Sequence, residues 1–234
     1  MIGRLQAVIF DFDGVIADSE PLHLRAFQQA LQEEGLQLDR DEYFARYLGF
    51  DDVGVFATLG RDRGVPMDEQ RIRALVTRKG AKLQAMLDEG HVLFPGAAAF
   101  IREAAAVVPI AIASGALRHE ILEIIEAADL ARHFSTIVAS GDTPESKPSP
   151  APYQLAFTQI QQAAGRSLDP SRCVAIEDSA WGLESACGAG LRCVGVTTSY
   201  AADQLRGAEL IVEGLGALTI PALEQLCGTN LSPR

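Results

Sequence analysis

The feature that most constrains the fold is an alternation of short apolar runs and amphipathic segments that begins after Pro95. The apolar runs include PIAIA, STIVA, RCVAI and LRCVGV, and the segments between them have helical periodicity. Continuous apolar strands that alternate with helices indicate βαβ units and a parallel sheet covered on both faces. The opening run QAVIFD has the same character. The predicted fold class is therefore α/β, with a doubly wound parallel sheet.

The stretch that follows the first predicted strand has a different pattern. From about Ser19 to Gly90 it shows helical periodicity and no strand pattern. The predicted helices are PLHLRAFQQALQEEG, Arg40–Leu48, Asp52–Arg63 and MDEQRIRALVTRKGAKLQAMLDE. We therefore predict an all-helical domain, residues 17–92, inserted into a Rossmann-like domain formed by residues 1–16 and 93–234.

Charge and composition narrow the possible partners. The net charge of −11 argues against nucleic acid or an anionic membrane as a partner, although a local cation cluster could still bind a small anion. No run approaches the ~18 apolar residues of a membrane span, and the first apolar run is too short for a signal peptide. We therefore expect a cytoplasmic protein. The sequence shows no long heptad repeat or interface stripe, which leaves the oligomeric state open, and our expectation is a monomer or weak dimer.

The four cysteines give a weaker signal. No two of them form a CxxC pair, and they fall in segments that resemble buried strand or helix. We expect small buried apolar residues, with disulfides or a metal site as alternatives. The positions are Cys173, Cys187, Cys193 and Cys227.

Polar side chains follow the predicted strands at the points where the strands end. Because ligands bind outside the carboxyl ends of parallel strands, we expect these side chains to gather at one edge of the sheet. Asp11 and Asp13 follow the first strand, and Lys147 comes a few residues after the third. The others are Ser114, Gly115, Glu177 and Asp178.

This set of groups suits a phosphate and a hard divalent cation. Mg²⁺ prefers oxygen ligands and is commonly held by one or two carboxylates together with phosphate and water. Lys147 would supply further positive charge, and a hydroxyl with backbone amides at a helix start could donate to phosphate oxygens. One carboxylate could attack phosphorus, while a second carboxylate two residues on could serve as acid and then base.

Four segments resemble, in order and spacing, the motifs of the haloacid dehalogenase superfamily. They are DFDGV, IASGA with Ser114, SKPSP with Lys147, and IEDSAWGLESACGAG. The set is specific, although any one motif would be weak. The helical insertion resembles the small cap of that family. DGVIADSEPLH, FPG and KPSP resemble the branch that contains sugar-phosphate phosphatases and β-phosphoglucomutase.

The resemblance implies roles for the acidic residues. Asp11 would be the nucleophile and a metal ligand. Asp13 would be the general acid and base, with its backbone carbonyl on the metal. Asp178 would bind Mg²⁺, and Glu177 would be a direct or water-mediated partner of the metal. A turn after a strand is the alternative for the first pair, and a helix N-cap for the second.

The resemblance also implies contacts with the substrate. Ser114, Gly115 and Lys147 would hold the transferring phosphate, with a helix N-cap as the alternative for Ser114 and a surface turn for Lys147. His23 and Lys79 lie on the predicted cap and are candidate substrate contacts. The alternatives are a helix-surface or satisfied histidine and a solvated lysine.

The predicted function is a Mg²⁺-dependent phosphatase of a small phosphate monoester, such as a sugar or polyol phosphate. An aspartate at position 13 favours phosphoryl transfer over dehalogenation. The mutase branch has an arginine after a Leu-x-Gly segment, but YLGFDD places Asp51 and Asp52 there, which would repel a second phosphate. A β-phosphoglucomutase-type mutase that uses Arg46 or Lys79 instead is one alternative. A non-catalytic phospho-ligand-binding protein is another.

Overall fold

The chain divides into two compact units, one of which interrupts the other in sequence. The structure is a computed structural model that describes residues 5–47, 50–88 and 92–228. The first unit comprises Met1–Asp18 and Val92–Arg234, and the second comprises Ser19–His91. Their roles as catalytic core and cap, with the boundaries set from sequence, stay predictions. Leu48 and Gly49, which ended a predicted helix and the Leu-x-Gly segment, lie outside the described residues.

The first unit is built on a six-stranded sheet in the order β3-β2-β1-β4-β5-β6, with every neighbouring pair parallel. The chain therefore adds β2 and β3 on one side of β1, and then adds β4, β5 and β6 on the other side of β1. This reversal creates a topological switch point between β1 and β4. The strands are β1 Ala7–Phe10, β2 Ile110–Ala113, β3 Phe134–Val138, β4 Cys173–Glu177, β5 Arg192–Val196 and β6 Leu210–Val212.

Helices connect these strands, as the alternating pattern predicted. All residues of β1, β2, β4 and β5 are buried, which explains why these segments are apolar rather than alternating, apart from Glu177 at the end of β4 and Arg192 at the start of β5. Part of the core packs α7 (Ala151–Ala164) and α8 (Ala180–Gly188) against the sheet through Ala156 and Leu183. The helices of this unit are α5 Ala97–Ala105, α6 Arg118–Ala127, α7 Ala151–Ala164, α8 Ala180–Gly188 and α9 Ile220–Gly228. The predicted doubly wound α/β fold is confirmed.

The second unit contains helices and, within residues 19–47 and 50–88, no strand. The predicted helix from Arg40 begins as α2 and continues as a π-helical turn over Tyr43–Tyr47. A core of Phe27, Leu31 and Phe56 holds the unit together. The helices are α1 Glu20–Gln32, α2 Arg40–Glu42, α3 Asp52–Asp62 and α4 Glu69–Asp88.

The four cysteines are free thiols. Cys173 and Cys193 are buried, as expected, and Cys187 and Cys227 are partly buried. Cys187 and Cys193 are hydrogen-bonded through their sulfur atoms, 2.7 Å apart. Separately, none of the helices in the described part of the chain is both long and apolar enough to cross a membrane.

Candidate active site

Asp11 lies where β1 ends, next to the switch point of the sheet. Its backbone N–H donates to the carbonyl of Ile176 on β4 at 2.9 Å, which extends the pairing of the two strands by one residue. The chain then turns sharply at Gly14, which has a φ of +78°. A Cβ atom at Gly14 would lie 1.9 Å from Oδ2 of Asp178. Glycine at this position is therefore what lets the loop after β1 approach the loop after β4.

Lys147 joins the ends of these two strands. It lies in the connection between β3 and α7. Its Nζ is 2.7 Å from Oδ1 of Asp11 and 2.6 Å from Oε1 of Glu177. The side chains of Lys147 and Asp11 are each 11% exposed, and that of Glu177 is fully buried. The sequence placed these groups at one edge of the sheet, and the structure shows them in direct contact.

Both carboxylate oxygens of Glu177 accept hydrogen bonds from protein groups. Oε1 accepts from Lys147 and from the hydroxyl of Tyr153, at 2.6 and 2.9 Å. Oε2 accepts from the backbone N–H of Asp178 at 3.2 Å and from the hydroxyl of Ser179 at 3.1 Å. A buried carboxylate with four donors is well compensated for its loss of water.

The first turn of α8 is shaped around this carboxylate. Ser179 is the N-cap of the helix and accepts a hydrogen bond from the backbone N–H of Gly182 at 3.2 Å. A Cβ atom at Gly182 would lie 2.0 Å from Cδ of Glu177. The absence of a side chain there leaves room for the carboxylate beneath the start of the helix. The N-cap is thus Ser179, rather than either of the two acidic residues that precede it.

Three buried carboxylates converge at this edge. Asp11, Glu177 and Asp178 each offer an oxygen, and these oxygens lie within 4.8 Å of one another. If all three are ionised, Lys147 balances only one of their charges. A donor set made of oxygen alone is what Mg²⁺ and other hard divalent cations prefer. The residues present therefore fit a hard divalent cation.

The pKa shifts of these groups reflect burial first and the neighbouring charges second. Burial, and then the charge of Glu177, raise the pKa of Asp11 well above its usual value, although Lys147 opposes this rise. Burial raises the pKa of Asp178 to about 6, against a hydrogen bond from Ser199. Burial lowers the pKa of Lys147, but Asp11 and Glu177 outweigh burial and hold it above its usual value. A bound cation would favour the ionised carboxylates.

Asp13 and Ser114 belong to the same sheet edge but make other contacts. Asp13 is partly exposed, and its carboxylate is not part of the group of three. Ser114 follows β2, and its hydroxyl accepts from the backbone N–H of Ala116 at 3.0 Å. The N-cap position of α6 is Leu117, so Ser114 does not cap that helix. Gly115 is exposed beside Ser114.

His23 and Lys79 meet inside the helical unit. Lys79 is 1% exposed, so the alternative of a solvated lysine is wrong. Its Nζ is 2.9 Å from Oδ1 of Asp52, 3.0 Å from Nδ1 of His23 and 5.0 Å from the ring centre of Phe27. Burial, and then the charge of Lys79, lower the pKa of His23 to about 3, so the ring is neutral. Contact of His23 and Lys79 with substrate stays a prediction.

Sequence reasoning missed three residues of the site. Tyr153 occupies a helical position at which an aromatic residue is normally part of the core, so no pattern distinguishes it. Gly182 lies inside a predicted helix, where an isolated glycine can indicate close packing. Ser199 comes three residues after β5 ends at Val196, and its position beyond a strand end was the available signal.

Comparison with known proteins gives consistent results. Protein CbbY of Cereibacter sphaeroides is 31% identical over 227 residues, which cover 92% of this chain and 94% of that protein. Hexitol phosphatase B of Escherichia coli strain K12 is 29% identical over 209 residues, 87% of this chain and 88% of that protein. A crystal structure of a CbbY variant from Rhodobacter sphaeroides, in complex with xylulose-(1,5)bisphosphate, has 30% identity and a TM-score of 0.77. The match covers 92% of this chain and 96% of that one.

A match to a protein-family model identifies the family, and it covers most of the sheet unit and of the helical unit. Residues 8–196 match the model of the haloacid dehalogenase-like hydrolases. This range includes Asp11, Ser114, Lys147 and Asp178, one residue from each of the four segments on which the resemblance rested. The resemblance is therefore confirmed, and the chain belongs to the haloacid dehalogenase-like hydrolases.

Proposed function

We propose that this enzyme is a Mg²⁺-dependent phosphatase of a small phosphate monoester, a sugar or polyol phosphate, and that it acts through an aspartyl-phosphate on Asp11. The observation that carries the proposal is the buried contact of Lys147 with Asp11 and Glu177 beside Asp178. The relative named hexitol phosphatase B, and the CbbY structure with xylulose-(1,5)bisphosphate, support the substrate class.

Asp11 and Asp178 are the carboxylates that would hold the metal, together with the backbone carbonyl of Asp13. Glu177 already accepts four hydrogen bonds. It would therefore support the metal indirectly, by orienting the groups that donate to it. When bound, Mg²⁺ supplies positive charge that offsets the phosphoryl oxygens among these carboxylates.

The protein groups divide the work of a two-step transfer. Lys147 binds a phosphoryl oxygen and draws the substrate toward Asp11. A carboxylate oxygen of Asp11 attacks phosphorus and the bond from phosphorus to the ester oxygen breaks, while Asp13 donates a proton to that oxygen. Asp13 then takes a proton from the water that attacks phosphorus, and the bond between Asp11 and phosphorus breaks. Ser114 donates its hydroxyl to a phosphoryl oxygen.

The contacts of Arg46 and Lys79 favour water, rather than a second sugar phosphate, as the acceptor of the phosphoryl group. A mutase must bind a second, non-transferring phosphate, and Arg46 and Lys79 were the candidates to replace the missing arginine. Arg46 is 2.9 Å from Asp62, and Lys79 is 2.9 Å from Asp52. Each of these charges is already offset by a carboxylate, so we favour hydrolysis.

The test is phosphate release from a panel of hexitol phosphates, sugar monophosphates and xylulose 1,5-bisphosphate, with Mg²⁺ and with a chelator. A parallel assay follows conversion of β-glucose 1-phosphate to glucose 6-phosphate. We expect release that requires Mg²⁺ and prefers one ester class. Isomerisation with little free phosphate would contradict the phosphatase function and favour the mutase function. Absence of both reactions, with Mg²⁺ and inorganic phosphate still raising the melting temperature, would favour a binding protein.

A further inference from the structure

Tyr153 is a buried tyrosine whose hydroxyl is directed at the active site. It lies in the first turn of α7 and is 0% exposed. Its surroundings are largely apolar and include Ala111, Ala156 and Cys193. A tyrosine hydroxyl in such surroundings needs a hydrogen-bond partner. The partner is Oε1 of Glu177, at 2.9 Å, which is also the oxygen that contacts Lys147.

The ring of Tyr153 contacts the other member of the same ion pair. Nζ of Lys147 is 5.1 Å from the ring centre, within the range of a cation–π interaction. One side chain therefore donates a hydrogen bond to the Glu177 carboxylate and presents its ring to the Lys147 ammonium. A residue that only filled the core would need neither contact.

These contacts determine how Lys147 can meet a substrate. An ammonium group has three N–H donors in fixed tetrahedral relation. Two of them are directed at Asp11 and Glu177, at 2.7 and 2.6 Å, so the direction of the third is set as well. If the Glu177 carboxylate turns, the lysine turns with it. Tyr153 donates to Oε1 of that carboxylate and Ser179 donates to Oε2, so the two hydroxyls fix its orientation.

We propose that Tyr153 is a positioning residue for phosphoryl transfer: it holds Glu177, and through it Lys147, in the orientation in which Lys147 binds the phosphoryl group. The proposal rests on the proposed function and adds a residue to its machinery. Tyr153 touches neither substrate nor metal in this account, and it acts only through Glu177 and Lys147.

The test compares Tyr153→Phe with Tyr43→Phe. The first substitution removes the hydroxyl and keeps the ring. Tyr43 is a matched control in the helical unit, because it is 4% exposed and its hydroxyl donates to Glu20 at 2.8 Å. Both variants lose a hydrogen bond between a tyrosine and a carboxylate, which is buried for Tyr153 and partly buried for Tyr43. Steady-state phosphate release gives kcat and KM, and urea unfolding reports the cost to the fold.

We expect Tyr153→Phe to lower kcat by about tenfold or more, with KM within about threefold, as for other residues that orient an active-site group through a hydrogen bond. Tyr43→Phe should keep kcat within about twofold. A Tyr153→Phe kcat within twofold of wild type overturns the proposal. An equal loss of kcat in both variants, in proportion to their loss of stability, also overturns it because the role would then be structural.

A second measurement does not need turnover. The ammonium signal of Lys147 in proton–nitrogen correlation spectra is identified by its loss in Lys147→Met. We expect the signal to be sharp in the wild type and in Tyr43→Phe, and broadened or shifted in Tyr153→Phe. If the wild type hydrolyses no ester, the proposed function fails. The ammonium signal then tests the role of Tyr153 by itself, and an unchanged signal in Tyr153→Phe overturns that role.

Discussion

The two units each bury a lysine, and the two sites differ in how the charge of that lysine is balanced. Lys147 and Lys79 have side chains 11% and 1% exposed, and each lies about 5 Å from an aromatic ring centre. Lys79 contacts one carboxylate and a neutral histidine, so its charge is balanced. Lys147 contacts two carboxylates with a third beside them.

The excess of carboxylates, rather than the buried lysine, is therefore the functional signal. A buried ion pair with matched charges is complete by itself, and it is weak evidence of anything beyond local structure. Burial, and then the charge of Glu177, raise the pKa of Asp11, so this cluster is fully compensated only when a further cation binds. Changes to the sheet unit should thus act on activity, and changes at Lys79 should act on stability.

The largest effect should come from Asp11→Asn. The amide cannot act as the nucleophile, so phosphate release should fall at least about 1,000-fold. The unfolding midpoint without metal should stay the same or rise, because one of three crowded carboxylates is removed. Asp52→Asn, in the helical unit, is the control: it should lower stability because Lys79 loses its carboxylate, but the folded protein should keep most of the activity. Turnover near the wild-type rate in Asp11→Asn would refute Asp11 as the nucleophile.

Lys147→Met should give the next largest effect. Loss of an oriented charge at the phosphoryl group should lower kcat by about 100- to 1,000-fold. The measurement is phosphate release at saturating Mg²⁺, with circular dichroism to confirm the fold. If kcat falls less than tenfold, Lys147 serves the fold rather than the reaction.

Lys79→Met should change stability instead. The substitution leaves Asp52 without its cation, and removal of one partner from a buried pair typically costs 3–5 kcal/mol. The Asp52 side chain is 29% exposed, so water compensates in part and we expect a loss of about 3 kcal/mol. Urea unfolding measures this loss, and Lys82→Met, which removes a partly exposed partner of Glu33, is the control. Equal stability of the two variants would contradict the balanced-pair account.

The smallest effect is the pH dependence of His23. Its pKa is about 3 in the folded protein and near 6.5 when unfolded, so the unfolded chain binds the extra proton between these values. The contribution of neutral His23 to the free energy of unfolding is complete above pH 6.5 and is lost as the pH falls toward 3. From pH 7 to 5 the wild type should lose about 2 kcal/mol more than His23→Asn in urea unfolding. Parallel losses would show that the histidine titrates normally.

The sequence predicted the parts of this account that depend on pattern. The four apolar runs after Pro95 form strands, and three of them, β2, β4 and β5, are fully buried, as expected for parallel strands covered on both faces. Asp11, Lys147 and Asp178 were found because polar residues at strand ends converge in any open parallel sheet. Asp11 and Asp178 come close because the strand order places β4 beside β1.

The parts that depend on packing could not be predicted in this way. Tyr153 lies in the same helical pattern as the core, and only its 2.9 Å contact with Glu177 reveals its other role. Lys79 was expected to be either a substrate contact or solvated. Its burial depends on Asp52, His23 and Phe27 from two other helices, which helical spacing along α4 does not reveal.

The most direct test of the central claim is calorimetric titration of Mg²⁺ into metal-free protein. The account predicts that the wild type binds one Mg²⁺ and that Asp52→Asn binds it equally well. It predicts that Asp178→Asn, which removes a carboxylate from the group of three, loses the site. Absence of binding in the wild type, or undiminished binding in Asp178→Asn, would contradict the claim that the crowded carboxylates at the sheet edge form the metal site.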